Sequence, residues 1–149
     1  MTPEQIARRY YELFNARRLD EAAAMVDSQA IYYYLPTRQR FIGREGFHAI
    51  MGMWLNAFTD AQLEIVSALA LNDHSVQIEF LGKGTHTGDL VLGSLRLPAT
   101  GRTAELPFRN LLEIHNGIII SVELDFDVEE MKRRCNDGSD AGKREGLLH

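Results

Sequence analysis

The hydrophobic pattern changes its period part-way along the chain, and this change constrains the fold more than any other feature. Up to Phe58, apolar residues recur every three or four positions, as they do on one face of a helix. Further on they alternate with polar residues, as in Val76, Ile78 and Phe80, and the alternation returns over residues 106–114. Helices followed by a run of strands predict an α+β domain. We expect three N-terminal helices over the concave face of a strongly curved antiparallel sheet that forms a cone.

The start of the chain carries the signals of helix caps. Thr2, Pro3 and Gln5 combine a hydroxyl cap, a proline at the first helical position and a capping box, which predicts a helix over residues 3–17. Asp20 is predicted to cap a second, short helix that is rich in alanine. The third predicted helix has these apolar residues at helical spacing: Phe47, Ile50, Met51, Trp54 and Phe58.

Strand and turn signals follow. Residues 31–35 are β-branched or aromatic and end at Pro36, which predicts a first strand. About four long strands are expected in the second half of the chain, which is mostly sheet. Asn116 and Gly117 stand between two apolar runs and predict a tight hairpin turn between the last two strands. On the last strands the even-numbered positions from 106 to 126 are almost all apolar, so they are predicted to face the core.

The sequence predicts one domain over residues 1–135. Asp127 is placed to cap a last short helix through Met131. The polar, small-residue stretch 136–149 predicts a flexible tail. A chain of 149 residues can bury a core without disulfides, and the single cysteine, Cys135, has no partner with which to form one internally.

Charge and composition narrow the possible partners. The chain has 16 basic and 21 acidic residues and a net charge of −5, which disfavours binding to a phosphate backbone, so we expect no nucleic-acid partner. No signal-peptide pattern opens the sequence, and no run of 18 apolar residues occurs in it. We therefore expect a cytoplasmic protein that does not enter a membrane.

Three short motifs resemble one family. Residues 84–88 read Gly-Thr-His-Thr-Gly, residues 97–102 read Leu-Pro-Ala-Thr-Gly-Arg, and the Asn-Gly hairpin is followed by Phe126-Asp127. Together with the order of helices and strands, they resemble the SnoaL-like polyketide and ester cyclases, a branch of the nuclear-transport-factor-like cone folds. The resemblance covers roughly residues 3–135.

The resemblance implies a cone that is usually dimeric and that uses no metal or organic cofactor. It also implies an aspartate that acts as general acid and base, removing a proton next to a carbonyl so that the enolate closes a ring; the matching residue is Asp127. Two positions depart from the family pattern. Asp125 stands where the family usually has an aromatic residue, and Glu113 stands where we place the family's catalytic histidine.

The candidate site residues also have structural explanations. His86 shares the parity of the apolar β-strand positions before it, so it is either a satisfied core histidine or a catalytic group; a metal ligand is not expected, because no second ligand stands at suitable spacing on that strand. Asn110 interrupts the apolar face, so it either bonds within the core or contacts a ligand. Odd-numbered Asp127 falls opposite the apolar face, so a catalytic role needs a bulge or a pocket on the polar face.

The leading hypothesis is a cofactor-independent cyclase or isomerase acting on a hydrophobic carbonyl compound, with Asp127 as acid and base and His86 polarising or protonating the oxygen. Asn110, Glu113, Trp54 and Tyr34 are the predicted substrate-binding residues. Two alternatives stay open. One is epoxide opening by paired carboxylates, and the other is a non-catalytic module that binds small apolar molecules or forms a homodimer.

Overall fold

A computed structural model describes residues 1–137 of the chain. The described part confirms the α+β class, with a six-stranded curved sheet and helices packed against it. The elements, in chain order, are α1 (Pro3–Asn15), α2 (Leu19–Ala24), β1 (Val26–Tyr34), β2 (Gln39–Ile42), α3 (Gly43–Ala57), β3 (Gln62–Ala70), β4 (Ser75–Thr85), β5 (Leu90–Leu92), β6 (Leu95–Leu97), β7 (Thr103–His115), β8 (Ile118–Asp125) and α4 (Val128–Asp137).

The capping box at the start of α1 is confirmed. Thr2 Oγ1 accepts a hydrogen bond from the backbone N–H of Gln5 at 3.2 Å, and the Gln5 side chain accepts one from the backbone N–H of Thr2 at 2.8 Å. The predicted cap of α2 is wrong. The chain turns at Arg17 with a positive φ of 60°, so α2 begins at Leu19 and Asp20 lies inside the first turn. There the Asp20 carboxylate interacts favourably with the positive end of the helix dipole, but Asp20 is not the N-cap residue.

The sheet has the strand order β2-β1-β8-β7-β4-β3. Every neighbouring pair is antiparallel except β1 and β8, which run parallel. The sequence could not indicate this parallel pair, because the two strands are far apart along the chain and no turn motif joins them. Two short elements were also not predicted. These are β2, which forms a hairpin with β1, and the separate two-stranded hairpin of β5 and β6; three or four residues are too few to show a period.

The predicted hairpin between β7 and β8 is confirmed. Asn116 and Gly117 both have positive φ, 51° and 77°, as a type I′ turn requires. The alternation predicted along β8 is wrong near the turn. Glu113 pairs with Ser121 but Ile114 pairs with Ile119, so β8 has one extra residue there. Ile119 is therefore buried while residues 118 and 120 are partly exposed, and the even-numbered face is restored from Val122 onward.

The last helix begins where the sequence predicts and runs further. The Asp127 carboxylate accepts a hydrogen bond from the backbone N–H of Glu130 at 3.0 Å, which confirms it as the cap of α4. The helix continues to Asp137, two residues past the predicted end of the domain at residue 135. The remainder of the predicted tail, residues 138–149, lies outside the described residues.

The core lies between the inner face of the sheet and the helices α1 and α3. Alternate residues of β4 and β7 face it, among them Val76, Ile78, Phe80 and Leu112. Helix α1 packs mainly against β3, and α3 packs mainly against β1 and β2. Within residues 1–137 no helix is long and apolar enough to cross a membrane.

Candidate functional site

A cavity of about 100 Å³ lies inside the core, between α1, α3 and the inner face of the sheet. Its walls are mainly aromatic and aliphatic. The lining residues that carry a polar group or an aromatic ring are Tyr10, Tyr11, Phe14, Tyr32, Tyr34, Phe47, Trp54, Phe58, Phe80, Lys83, Phe108 and Asn110. Such an enclosed apolar space with a few polar groups is typical of small-molecule sites, although it is smaller than the roughly 300–1,000 Å³ of drug-sized ligand pockets.

Three of the four predicted substrate-binding residues line this cavity: Asn110, Trp54 and Tyr34. Asn110 lies in the middle of β7 and is 8% exposed. Its Nδ2 donates a hydrogen bond to the hydroxyl of Tyr11 on α1 at 2.5 Å. Its Oδ1 is buried and has no hydrogen-bond partner among the described residues. A buried acceptor without a partner costs about 1–3 kcal/mol in other proteins, which makes this oxygen a candidate contact for a ligand.

Two further polar pairs line the cavity. Trp54 Nε1 donates to the hydroxyl of Tyr34 at 2.7 Å, and the hydroxyls of Tyr10 and Tyr32 lie 2.9 Å apart. Tyr10, Tyr11 and Tyr32 were not predicted as site residues. Tyr32 could have been found, since it shares the inward parity of Tyr34 on β1.

The four cavity tyrosines are all held in their neutral form. Burial raises the pKa of Tyr10, Tyr11, Tyr32 and Tyr34 above the usual phenol value. At neutral pH these side chains therefore keep their protons and can donate hydrogen bonds. They cannot act as bases there.

Among residues 1–137, no carboxylate or imidazole lines the cavity. Lys83 is the only lysine or arginine of these residues in the lining, and its Nζ pairs with Glu64 and lies 3.8 Å from Glu105. The side chains of these three residues are all partly exposed, because odd-numbered positions of β4 face outward. The cavity thus offers hydrogen-bond donors in a neutral, apolar setting.

Two glycines of β4 keep the cavity open. Gly82 and Gly84 follow Phe80 at alternate, inward positions. A Cβ on Gly82 would lie 3.1 Å from Cε2 of Phe108, and one on Gly84 would lie 3.1 Å from Cβ of Phe58. These glycines belong to β4 and do not form a phosphate-binding loop.

His86 is fully buried just after the end of β4. Its ring stacks on Phe58 with centroids 4.9 Å apart, and its Nδ1 lies 3.3 Å from the hydroxyl of Thr100. His86 Nε2 has no hydrogen-bond partner among the described residues. The ring is absent from the cavity lining, since Phe58 stands on the cavity side. This is the packing expected of a core histidine, and its catalytic role stays a prediction.

Two of the three motifs that carry the family resemblance, residues 84–88 and 97–102, lie against each other. The backbone N–H of His86 donates to the Arg102 carbonyl at 2.8 Å, and the backbone N–H of Gly101 donates to the His86 carbonyl at 2.8 Å. On the other side, the N–H groups of Thr87 and Gly88 both donate to the Ala57 carbonyl at the end of α3. Residues 84–88 thus join the sheet, α3 and the loop over residues 97–102.

The packing of residues 84–88 against α3 and the neighbouring loop explains which residue types stand in this motif. A Cβ on Gly88 would come within 2.0 Å of the Asn56 carbonyl oxygen, so any side chain is excluded there. Thr85 binds Asp60 twice, through its N–H at 2.7 Å and its hydroxyl at 2.8 Å. These contacts lower the pKa of Asp60, chiefly through the backbone hydrogen bond of Thr85. The motif therefore has a structural role whatever else it does.

Asp127 lies on the other side of the sheet from the cavity lining. It is exposed, caps α4, and borders an open groove of about 600 Å³ together with Asp125, Glu79 and Arg109. The charged residues that border the groove on β4, β7 and β8 are odd-numbered, whereas even-numbered residues such as Leu106 and Leu124 line the cavity; Phe80 and Phe108 border both. The structure therefore does not bring Asp127 and His86 to one cavity, and the catalytic role of Asp127 also stays a prediction.

Glu113, the fourth predicted substrate-binding residue, is exposed near the hairpin turn and does not line the cavity. Asp125 pairs with Arg109, and Glu113 lies four residues further along β7, which is roughly 13–14 Å at about 3.4 Å per residue. Glu113 and the two aspartates do not form one cluster, so no geometry favours the epoxide-opening alternative.

The remaining chemistry-bearing residues give no further site. Among residues 1–137, no three His, Cys, Asp or Glu side chains form a group that could hold a metal ion. Burial raises the pKa of the Cys135 thiol to about 11, which keeps it in the unreactive protonated form. The expected homodimer stays a prediction.

The sequence matches the family described as SnoaL-like polyketide cyclase over residues 4–133. The chain belongs to this family. Its fold and membership support a function of the cyclase or isomerase type. No curated protein sequence matches the chain.

Solved structures share the fold across most of the chain. A candidate polyketide cyclase from Pseudomonas putida KT2440 superposes with a TM-score of 0.72 at 21% identity, covering 91% of this chain and 98% of that one. AclR, a candidate hydroxylase from Streptomyces galilaeus, gives 0.72 at 17% identity over 89% and 94% of the two chains. A candidate ketosteroid isomerase from Kribbella flavida gives 0.63 at 21% identity over 84% and 77%. At these identities the likeness concerns the fold.

Proposed function

We propose that this SnoaL-like chain binds a small, neutral, hydrophobic carbonyl compound in its aromatic cavity and promotes its enolisation, the step shared by cyclisation and isomerisation. The observation that carries the proposal is the set of buried phenols around an apolar space. The fold alone would not distinguish this chemistry from other uses of a cone.

The supply of donors supports the proposal. Tyr34 accepts a hydrogen bond from Trp54, and Tyr11 accepts one from Asn110, so each phenol still has its own proton to donate. Tyr10 and Tyr32 share one hydrogen bond, which uses the hydroxyl proton of one of them. The hydroxyl proton of the other can still be donated to a ligand. Donors fixed in a water-excluded site stabilise negative charge as it develops on a carbonyl oxygen, which is how an enolate is favoured.

Removal of the α-proton is a separate part of the proposal. The cavity lining has no base, so the proton goes either to water or to Asp127 acting as the predicted general base. Asp127 would have to reach the substrate from the groove side of the sheet. Its role is therefore tested independently of the role of the phenols.

The test uses cyclohexanone as a small neutral ketone. Its α-protons exchange with D₂O when it enolises, and proton NMR follows the loss of their signal. We expect the protein to accelerate this exchange and Tyr34→Phe to slow it, by roughly 10²-fold where Tyr34 donates to the enolate oxygen. Tyr33→Phe is the matched control, because Tyr33 is on the same strand and does not line the cavity.

The outcomes separate the alternatives. Loss of exchange in Asp127→Asn, with folding retained, would support Asp127 as the base; a normal rate would reject that role. Binding of cyclohexanone without any accelerated exchange would reject enolisation and favour a non-catalytic binding module. Neither binding nor exchange would reject the cavity as the functional site.

A further inference from the structure

The pair formed by Asn110 and Tyr11 in the cavity has one hydrogen-bond donor and one acceptor to spare. Asn110 Nδ2 donates to Tyr11, so the Tyr11 proton is free to go to another acceptor. Asn110 Oδ1 is buried and unpaired among the described residues, so it can take a proton from another donor. Both groups line the cavity.

This count does not depend on which way the amide points. With the amide reversed, Tyr11 donates to the amide oxygen, and the pair presents an amide N–H and a lone pair of the phenol oxygen. In either orientation the pair offers one donor and one acceptor side by side. A hydroxyl group matches it, because a hydroxyl donates one hydrogen bond and accepts another at the same atom.

The surroundings disfavour a ligand that carries a permanent charge. Among the described residues, no carboxylate lines the cavity to pair with a cation. The Lys83 ammonium pairs with Glu64 and Glu105 and does not face the cavity. A charged group moved into this space would lose its hydration without gaining a counter-ion. The ligand group at Asn110 is therefore neutral.

The volume limits the ligand to about one ring. The cavity measures about 100 Å³. An engineered apolar cavity of about 150 Å³ in another protein takes up benzene, so the present one suits a single six-membered ring at most.

We propose that Asn110 and Tyr11 make the cavity selective for a small monocyclic ligand that carries an un-ionised hydroxyl, either an alcohol or the enol form of a carbonyl compound. This inference rests on the proposed function, since it names the form of the substrate that the same cavity prefers. For a ketone substrate, it means that the enol is bound more tightly than the ketone from which it forms.

The test compares cyclohexanol with cyclohexanone by calorimetric titration at neutral pH. The two have nearly the same size, but only the alcohol can donate to an acceptor. We expect the alcohol to bind about three- to tenfold more tightly, as one additional buried hydrogen bond would give. The double variant Asn110→Leu with Tyr11→Phe removes every donor and acceptor of the pair and should bring the two affinities within about twofold of each other, whereas Tyr33→Phe should change neither affinity.

A second variant guards against a folding failure. If this double variant does not fold, Asn110→Ala combined with Tyr11→Phe removes the same hydrogen-bonding groups with a smaller side chain and should abolish the preference in the same way. Equal affinities for the two compounds in the unaltered protein would overturn the inference and leave the cavity as a binding site. Failure of both compounds to bind would overturn the inference and the proposed function together.

Discussion

The inner and outer faces of the sheet are built from the same strands but hold different kinds of residue. On the inner face, Phe80 of β4 and Phe108 of β7 stack with ring centroids 5.2 Å apart. One position along each strand, Glu79 and Arg109 are exposed and lie 3.9 Å apart. Because the two phenylalanine rings are buried, they contribute strongly to stability. Water screens the attraction between Glu79 and Arg109, so that ion pair contributes little.

The same contrast separates the two candidate sets of functional groups. The cavity on the inner side is lined by neutral donors such as Tyr11 and Tyr34, and the groove on the outer side is bordered by Asp125 and Asp127. The comparison shows that buried hydrogen-bond donors and solvated carboxylates lie in different places. The following variants test whether binding and acid–base chemistry are separated in the same way.

The largest expected effect is on stability at the inner face. Phe108→Ala removes a ring that packs against Phe80, Trp54 and Phe126, and should lower the free energy of unfolding by about 3–5 kcal/mol. Arg109→Ala, one residue along, should change it by less than about 0.5 kcal/mol. Urea denaturation measures both. Similar losses in the two variants would remove the distinction between the faces.

Asp127→Ala should cost about 0.5–2 kcal/mol, because it removes the cap of α4. Asp127→Asn keeps a capping oxygen and should cost less. Thermal unfolding gives the stabilities, and calorimetry gives the affinity for cyclohexanol, which both variants should leave unchanged. A weakened affinity in Asp127→Asn would instead mean that the carboxylate reaches the ligand across the sheet.

Lowering the pH should destabilise the protein through His86. Burial lowers the pKa of its imidazole below the usual value of about 6.5, although backbone groups of Leu97 and the charge of Asp89 act in the opposite direction. The folded state thus prefers neutral His86, so stability is retained above about pH 6.5 and falls as the pH drops below it. One such proton contributes at most about 1.4 kcal/mol per pH unit.

Urea denaturation between pH 7 and 5 measures this slope. His86→Gln should flatten it, whereas His48→Gln, which alters an exposed histidine on α3, should not. An unchanged slope in His86→Gln would show that other groups cause the pH dependence.

The smallest expected effect concerns the ion pair on the outer face. Glu79→Gln removes only the charge that faces Arg109, and should change the free energy of unfolding by less than about 0.5 kcal/mol because both side chains are partly exposed. Measurements at low and high salt check this, since any effect should shrink as salt is added. A larger, salt-independent effect would mean that the groove is less solvated than its exposure indicates.

Much of the fold follows from local patterns that the sequence displays directly. The capping box at Thr2, the cap at Asp127 and the turn at Asn116-Gly117 each depend on a few neighbouring residues, and all three are confirmed. Two predictions were wrong, the start of α2 and the parity near Ile119. The parallel pairing of β1 with β8 was not predicted, because it joins strands that are far apart in the chain.

The candidate site divides in the same way. Asn110 was identified because a polar residue interrupts an apolar face, which is a local signal. Its partner Tyr11 lies 99 positions away in the sequence, and only packing of α1 against β7 joins them. The motif around His86 indicated the family correctly. In the structure, however, the His86 ring stacks on Phe58, which separates it from the cavity.

The sequence by itself determined the α+β class, the main helices and strands, and the family, because hydrophobic period and capping chemistry act over a few residues. The tertiary structure decided which polar groups share a cavity and which side of the sheet each carboxylate faces. Those properties depend on strand order, on one bulge in β8 and on the contacts of α1 and α3 with the sheet. They arise from contacts between segments far apart in the chain, which no local pattern records.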